Sequence, residues 1–288
     1  MTYIGRFAPT PTGPLHFGSL VAAVASYLDA KANHGLWLLR IEDLDPPRED
    51  PRATKLIQQQ LIAHGLLWDK QVSLQSQHHA RYEAVLEHLK KNNLIFPCNC
   101  SRKQLAHNNG LHMGPCNSDI SQPHAWRLAM NDELIEFTDA VYGLNQQRPL
   151  SAVGDQVLKR KDGLYAYQLA VVVDDYDSGI THVVRGVDLL DNTARQLYLM
   201  QCLGFSTPKY LHLPLVVNAD KQKLSKQNHA PALNLAHTQD NLRHALAFLN
   251  QPAPPSKAHS NEAILAFASE HWQPKNIQAS YDGLNTCP

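Results

Sequence analysis

The chain has no long apolar run, no excess of charge of either sign and few aromatic residues. Among its 288 residues, 26 lysines and arginines balance 26 aspartates and glutamates, so the formal net charge is zero. A neutral chain has no general attraction to nucleic acid, and contacts with RNA must depend on local patches. No stretch of about eighteen consecutive apolar residues is present, so no membrane-spanning helix is expected.

A disulfide framework and a secretion signal are not expected either. The chain is large enough to form a core without disulfides, and its five cysteines are an odd number. Three of them, Cys98, Cys100 and Cys116, are close in sequence, which favours a reducing compartment and a metal site. The N-terminus lacks a basic stretch followed by an apolar one, so the sequence predicts a cytoplasmic protein.

The order of the predicted elements favours an α/β fold with a parallel sheet. Residues 3–8 have the composition of a buried strand, and a helical apolar pattern then continues until Gly35. Residues 36–41 complete a βαβ unit. Further helices are predicted at 50–64, with Asp50 as N-cap, at 78–92, at 193–203 and at 238–249. Further strands are predicted at 126–130, 134–137, 156–161, 180–185 and 211–217.

The first motif is PTPTGPLHFGSL, residues 9–20, between the first strand and the first helix. Free amides at a helix N-terminus attract a phosphate, and Gly18 lets a ligand approach the backbone. His16 can donate a hydrogen bond to a phosphate oxygen at this place. The alternative is an ordinary turn histidine, and these residues alone do not distinguish the two.

The second motif is KQKLSKQ, residues 221–227, after the late predicted strand. Its lysines are spaced so that two or three of them can face one polyanion. The alternative is a solvated basic loop.

Together the two motifs resemble the signature motifs of the class I aminoacyl-tRNA synthetases. In that family a carboxylate attacks the α-phosphate of ATP, and positioned donors stabilise the charge that develops. The resemblance implies that His16, Lys223 and Lys226 are catalytic, with Mg²⁺ bound to ATP. It also implies an ATP subsite made of His16, Gly18, Ser19 and Lys226. Ser19 stands where the family usually has a second histidine, and Gln227 stands where it usually has a serine.

Four further stretches are similar to the glutamyl-tRNA synthetases, namely RFAPT at 6–10, IEDLD at 41–45, YAYQLA at 165–170 and VRG at 184–186. The resemblance implies a glutamate subsite made of Arg6, Ala8, Pro9, Thr10, Glu42, Tyr167 and Arg185. Arginine forks suit carboxylates and an acidic group suits an ammonium. Arg6 and Arg185 would therefore face the carboxylates of glutamate, Glu42 its amine and Tyr167 its body. Asp174, Asp175 and Asp188 are expected either to have structural roles or to support the binding residues without touching the substrate.

The clustered cysteines predict one structural zinc ion. Three thiolates within nineteen residues suit a tetrahedral site, and His112, four residues before Cys116, is a plausible fourth ligand. His107 competes with His112 for this role. Buried, inert thiols are the alternative to a metal.

The resemblance implies a class I synthetase-type Rossmann catalytic domain that is interrupted by a zinc-bearing α+β insertion. The expected segments are 1–97 (first half of the catalytic domain), 98–178 (insertion), 179–236 (second half, with the lysine motif) and 237–288 (a short helical region). About sixty residues follow Lys226, so no anticodon-binding domain is expected.

This organisation resembles a shortened branch of the glutamyl-tRNA synthetases that transfers glutamate to queuosine in the anticodon of tRNA(Asp). The partners implied are L-glutamate, ATP and queuosine-containing tRNA(Asp). Three alternatives remain open. They are a shortened glutamyl-tRNA synthetase that charges the 3′ end, another ATP-using nucleotidyltransferase, and a non-catalytic RNA-binding relic.

Overall fold

The computed structural model describes residues 2–217 and 231–280, and the backbone of 284–286. Its helices are α1 (Phe17–Ala32), α2 (Ala53–Ala63), α3 (His79–Lys91), α4 (Arg102–Leu105), α5 (Pro149–Val153), α6 (Tyr167–Asp177), α7 (Thr193–Leu203), α8 (Thr238–Phe248) and α9 (Asn261–Glu270). Its strands are β1 (Ile4–Phe7), β2 (Leu36–Ile41), β3 (Ser73–Leu74), β4 (Ile95–Cys98), β5 (Ala125–Leu128), β6 (Ile135–Asp139), β7 (Gly143–Gln147), β8 (Gln156–Lys159), β9 (His182–Gly186), β10 (Lys209–Leu213), β11 (Leu215–Val217) and β12 (Leu284–Thr286). Within the described ranges, no helix has both the length and the apolar character needed to cross a membrane.

Parallel strands form the centre of the catalytic region, as the sequence predicts. Strand β2 lies between β1 and β3, and β9 pairs in parallel with β10. The backbone N–H of Thr181, just before β9, donates to the carbonyl of Ile4 in β1 at 2.9 Å. Strands β1, β2, β9 and β10 therefore bring their carboxyl ends to one edge, where open α/β sheets bind ligands. The predicted α/β fold is confirmed.

Helix α1 is buried because it is covered on two sides. It packs on β1 and β9, and on helices α8 and α9. Leu20, Val24 and Leu28 recur along its buried face and are fully excluded from solvent. Asp29 on the same helix accepts hydrogen bonds from the Tyr3 hydroxyl (2.5 Å) and the Trp272 indole N–H (2.8 Å). These bonds tie the C-terminal region to the first strand.

An antiparallel sheet in the order β4-β5-β8 lies largely within the predicted insertion. The predicted boundary at 97/98 falls inside β4, so this sheet begins before the predicted insertion. The β6–β7 hairpin lies within the predicted insertion, yet β6 pairs with β10 at Tyr210 and Asp139. A hairpin from the predicted insertion therefore extends the sheet of β9 and β10.

Several elements differ from the prediction. The helix predicted from Asp50 begins at Ala53 with Arg52 as its N-cap, because the Asp50 side chain accepts from the Arg52 N–H in a preceding turn. The strand predicted at 211–217 is divided at Pro214, which cannot donate to a ladder. The C-terminal region contains α9, and it also contains β12, which pairs in parallel with β11.

Candidate active site

A cavity of about 700 Å³ opens at the carboxyl ends of β1, β2, β9 and β10. This volume is in the range of ligand sites, since pockets that bury small molecules measure roughly 300–1,000 Å³. Its lining includes every predicted ATP or glutamate residue that the structure describes, namely Arg6, Ala8, Pro9, Thr10, His16, Gly18, Ser19, Glu42, Tyr167 and Arg185. The structure thus brings together residues that lie far apart in the sequence.

His16 is the N-cap of α1, where the positive end of the helix dipole faces the cavity. Its Nδ1 accepts from the backbone N–H of Ser19 at 3.3 Å, so the proton of a neutral ring is on Nε2. Nε2 lies 3.1 Å from the Ser19 hydroxyl. The loop before His16 is held by Gln60 of α2, whose side-chain oxygen accepts from the Leu15 N–H at 2.7 Å. The first motif therefore presents a histidine N–H and a helix N-terminus at one wall.

The catalytic lysines predicted from the second motif, Lys223 and Lys226, lie outside the described residues. The described chain on both sides of this motif is at the cavity. Val216, at the preceding end, lines it, and Ala232, at the following end, forms an antiparallel bridge with His16. The N–H of Leu233 also donates to the Leu15 carbonyl at 3.1 Å.

A buried ion-pair network holds Arg6 in place. Its Nε donates to Asp175 at 3.0 Å, and Arg40 Nη1 donates to the same carboxylate oxygen at 2.6 Å. Burial raises the pKa of Asp175, but the Arg40 and Arg6 guanidinium groups outweigh it and hold that pKa below its usual value. Asp175 therefore stays ionised and orients Arg6, in line with its expected structural role.

Asp174 is also structural. Its carboxylate accepts from the Tyr82 hydroxyl and from the Gln75 amide, both at 2.7 Å, and lies 2.8 Å from His78 Nδ1. Asp188, which is expected to be structural or to support the binding residues, lies in the cavity lining. The lining includes Arg48 as well, which the sequence analysis did not select and which forms an ion pair with Asp45. Arg48 ends a short 3-10 helix, Pro46–Arg48, that follows β2, and this position near the end of a parallel strand was the signal that could have found it.

Glu42 gives the cavity an acidic group that is almost buried, with its side chain 10% exposed. Burial raises the pKa of Glu42, although Arg40 and Arg6 oppose this effect. The Arg40 Nη2 donates to Glu42 at 3.3 Å. A cationic ligand group beside Glu42 would favour its ionised form.

Arg185 is buried at the end of β9, and each of its nitrogens has a partner. Its Nε donates to His212 at 3.0 Å, and its Nη1 donates to the Gln196 side chain at 2.9 Å. Its Nη2 donates to the Thr193 hydroxyl at 2.9 Å and to the Leu189 carbonyl at 3.2 Å. These contacts fix the plane of the guanidinium group before any ligand binds.

Tyr167, the first residue of α6, stands on the cavity side of Arg185, with its hydroxyl 3.5 Å from Nη1. Burial raises the pKa of this hydroxyl, so Tyr167 is neutral. At 3.5 Å this is the longest of the Arg185 contacts. An entering carboxylate can replace it with little loss.

The predicted zinc ligands also come together. The ligand atoms of Cys98, Cys100, His112 and Cys116 all lie within 4.8 Å of one another. His107 is not in this cluster, so among the described residues the geometry favours His112 over it. Three thiols and one imidazole are a usual donor set for structural zinc.

The imidazole of His112 is oriented for metal binding by a buried carboxylate. Asp155 lies 3.0 Å from His112 Nδ1, which leaves Nε2 facing the thiols, 3.7 Å from Cys100 Sγ. A carboxylate behind a ligating histidine is a common arrangement at zinc sites. Gly154 is needed for the close approach, because a Cβ there would lie 2.6 Å from the His112 carbonyl oxygen. The residues present therefore fit a zinc ion.

Comparison with known proteins identifies the family. Residues 4–124 and 116–251 match the model of the class I tRNA synthetases (E and Q), catalytic domain. The glutamyl-Q tRNA(Asp) synthetase of Pseudomonas putida strain GB-1 is 51% identical over 279 residues, which cover 96% of this chain and 95% of that protein. The chain belongs to the glutamyl-Q tRNA(Asp) synthetase family. It is a ligase of the aminoacyl-tRNA synthetase type, and class I synthetases use ATP with Mg²⁺.

Other members and more distant relatives agree. The glutamyl-Q tRNA(Asp) synthetase of Vibrio parahaemolyticus is 44% identical over 97% of this chain and 96% of its own length. A glutamate tRNA ligase structure from Elizabethkingia meningosepticum superposes with a TM-score of 0.82 at 23% identity and covers 97% of this chain. This chain spans 66% of that ligase's length, and the likeness shows that the fold is shared.

Replacing Cys98 by serine is expected to abolish zinc binding. About one zinc per chain is expected in the wild-type protein and almost none in the variant, because Cys98 is a buried member of the cluster. Metal analysis by mass spectrometry, together with thermal unfolding, measures this. Cys202→Ser is the matched control, since Cys202 lies in α7 outside the cluster. A wild-type protein that is stable and free of metal would contradict the zinc site.

Proposed function

We propose that this ligase activates L-glutamate with ATP and transfers the glutamyl group to queuosine in the anticodon of tRNA(Asp). The observation that carries the first step is a single cavity with two buried arginines, an acidic group and a histidine at a helix N-terminus. The names of relatives that are 44–51% identical over almost the whole chain support the second step.

The charges of the cavity match those of free glutamate. Glutamate has two carboxylates and one ammonium, and the cavity offers Arg6, Arg185 and Glu42. Each arginine is held by its own buried partners, so little side-chain freedom is lost when a carboxylate binds. An arginine fork favours a carboxylate over a neutral amide, because the amide would place N–H donors against the guanidinium. The subsite therefore favours glutamate over glutamine.

The activation step requires the phosphates of ATP beside His16. An oxygen of the glutamate α-carboxylate attacks the α-phosphorus in line, the bond to the bridging oxygen breaks, and pyrophosphate leaves with that electron pair. The His16 N–H, the N-terminus of α1 and the lysines Lys223 and Lys226 stabilise the added charge. Mg²⁺ accompanies ATP and neutralises part of the phosphate charge.

The transfer step replaces the mixed anhydride of glutamyl-adenylate with an ester. A hydroxyl of the queuosine cyclopentenediol attacks the carbonyl carbon of glutamyl-adenylate, the bond from that carbon to the phosphate oxygen breaks, and AMP leaves. The hydroxyl proton leaves with the phosphate or with solvent. Cys98, Cys100, His112 and Cys116 would hold a zinc ion whose role is structural, and neither step needs it as a reactant.

Two measurements test this function. ATP–pyrophosphate exchange is measured with glutamate, glutamine and aspartate, each with and without tRNA, and only glutamate is expected to support it. In the second measurement, tRNA(Asp) that has received labelled glutamate is cut by nuclease. The label is expected in the anticodon fragment. Label on the 3′-terminal fragment would instead indicate charging at the 3′ end, and exchange with every amino acid would contradict the glutamate subsite.

Glutamate binding is expected to weaken as the pH falls. Glu42 must be ionised to pair with the substrate ammonium, and burial raises its pKa above the ordinary value of 4.5. Protonation therefore begins at a higher pH than for an exposed glutamate, and the KM for glutamate rises there, while the KM for ATP changes much less. Steady-state exchange across a pH series measures both constants.

Glu42→Gln is the control for this pH dependence. Glutamine imitates the protonated side chain, so the variant is expected to have a high KM for glutamate that no longer responds to pH. A variant with the wild-type pH profile would show that another group titrates.

A further inference from the structure

Behind Arg185, on the side away from the cavity, lies a buried pair of residues with no role in the proposed chemistry. His212 of β10 and Asp139 at the end of β6 are both fully buried. His212 Nδ1 lies 2.7 Å from Asp139 Oδ2, and His212 Nε2 lies 3.0 Å from Arg185 Nε. The three side chains form a continuous line, from the hairpin of the inserted region to the wall of the cavity.

The hydrogen bonds fix the protonation state of His212. Arg185 Nε always carries a proton, so His212 Nε2 must accept, and Nδ1 then donates to Asp139. The Thr193 hydroxyl, 3.4 Å from Nε2, faces the same acceptor. Burial lowers the pKa of His212, and this favours the neutral ring that the arrangement requires. His212 therefore has one tautomer.

Asp139 is itself held rigidly. Its Oδ1 accepts from the backbone N–H groups of Val141 and Tyr142, both at 2.9 Å, and its Oδ2 also accepts from the backbone N–H of His212 at 3.0 Å. The carboxylate thus ties the β6–β7 turn to β10 and sets the direction of the imidazole.

We propose that Asp139 and His212 are positioning residues for Arg185, which they hold so that Nη1 faces the substrate carboxylate. The proposal rests on the proposed function, because Arg185 contacts substrate only if glutamate occupies the cavity. Gln196 accepts from the same Nη1 and Thr193 accepts from Nη2, and the long contact from Nη1 to Tyr167 is the one that faces the cavity. The consequence is that a residue of the inserted hairpin sets the affinity for the amino acid.

Asp139→Asn tests the tautomer directly. An asparagine amide can donate to His212 Nδ1, which moves the ring proton to Nε2 and places two donors, Nε2–H and the Arg185 Nε–H, against each other. The KM for glutamate is expected to rise about tenfold or more, whereas the KM for ATP stays within about twofold. The ¹⁵N chemical shifts of His212 are expected to report the changed tautomer.

Asp29→Asn is the matched control. Asp29 is a buried carboxylate with two side-chain donors, but it lies among Tyr3 and Trp272, away from the cavity. Its substitution is expected to lower the melting temperature and to leave the KM for glutamate unchanged.

A pair of substitutions at His212 distinguishes the effect of its hydrogen bond with Arg185 from that of its hydrogen bond with Asp139. Glutamine places an acceptor near the position of Nε2, and asparagine places a donor near the position of Nδ1. His212→Gln is therefore expected to keep more glutamate affinity than His212→Asn, which loses the acceptor for Arg185. Equal KM values for the two variants, or equal changes in the KM for glutamate and ATP, would overturn the inference. A wild-type protein without glutamate-dependent exchange would instead contradict the proposed function.

Discussion

Lys226→Ala is expected to lower glutamate-dependent ATP–pyrophosphate exchange by about 10²–10³-fold or more, since loss of one donor to a developing charge typically has this effect. In the proposed activation step, the charge develops on phosphates that lie opposite the N-terminus of α1 and His16. Among the described residues that flank the lysine motif, Val216 lines the cavity and Ala232 pairs with His16. In the proposed activation step a lysine of this motif stabilises the phosphate charge, and alanine removes that positive charge.

The test requires that the loss of exchange in Lys226→Ala comes from the reaction and not from misfolding. Circular dichroism and thermal unfolding of the variant are expected to match the wild type. Lys275→Ala, an exposed lysine in the C-terminal region, is the control for loss of one positive charge and is expected to be fully active. Exchange at the wild-type rate in Lys226→Ala would remove this lysine from the mechanism.

Arg185→Ala is expected to reduce kcat/KM for glutamate by roughly 10²-fold or more, because loss of one partner from a desolvated charge pair costs about 2–5 kcal/mol. The KM for ATP is expected to change little, since the arginine lies at the end of β9 beside Tyr167. The kinetic constants for both substrates, measured separately in the exchange assay, decide this.

Arg81→Ala is the control for Arg185→Ala. Its ion pair with Asp177 is exposed, and exposed pairs contribute little to stability. Unchanged kinetics are expected. If Arg185→Ala weakened both substrates equally, Arg185 would have a general structural role and not the assigned one.

Local sequence patterns predicted the parts of this molecule that depend on neighbouring residues. The strand–loop–helix unit around His16 follows from apolar spacing and turn residues, and the cysteine cluster follows from residue type and spacing. Helix α7 has the predicted bounds, Thr193–Leu203, because its apolar pattern is continuous and Gly204 ends it in a left-handed conformation.

Contacts between remote residues could not be predicted in this way. The hairpin of β6 and β7 joins the sheet of β10 through strand pairing that no local pattern specifies. Arg40 binds the same carboxylate as Arg6, which is visible only once β1, β2 and α6 are packed together. The hydrogen bonds from Asp139 through His212 to Arg185 also join residues that are remote in the sequence, so no local pattern predicts them. His112 could be separated from His107 only by geometry.

The most direct test is transfer of labelled glutamate, in the presence of ATP, to two pools of tRNA. One pool contains queuosine and the other is made without it, and the two are otherwise identical. Label on the queuosine pool alone is the predicted result, since the acceptor is then the modified base. Equal label on both pools would contradict the proposed acceptor and indicate charging at the 3′ end.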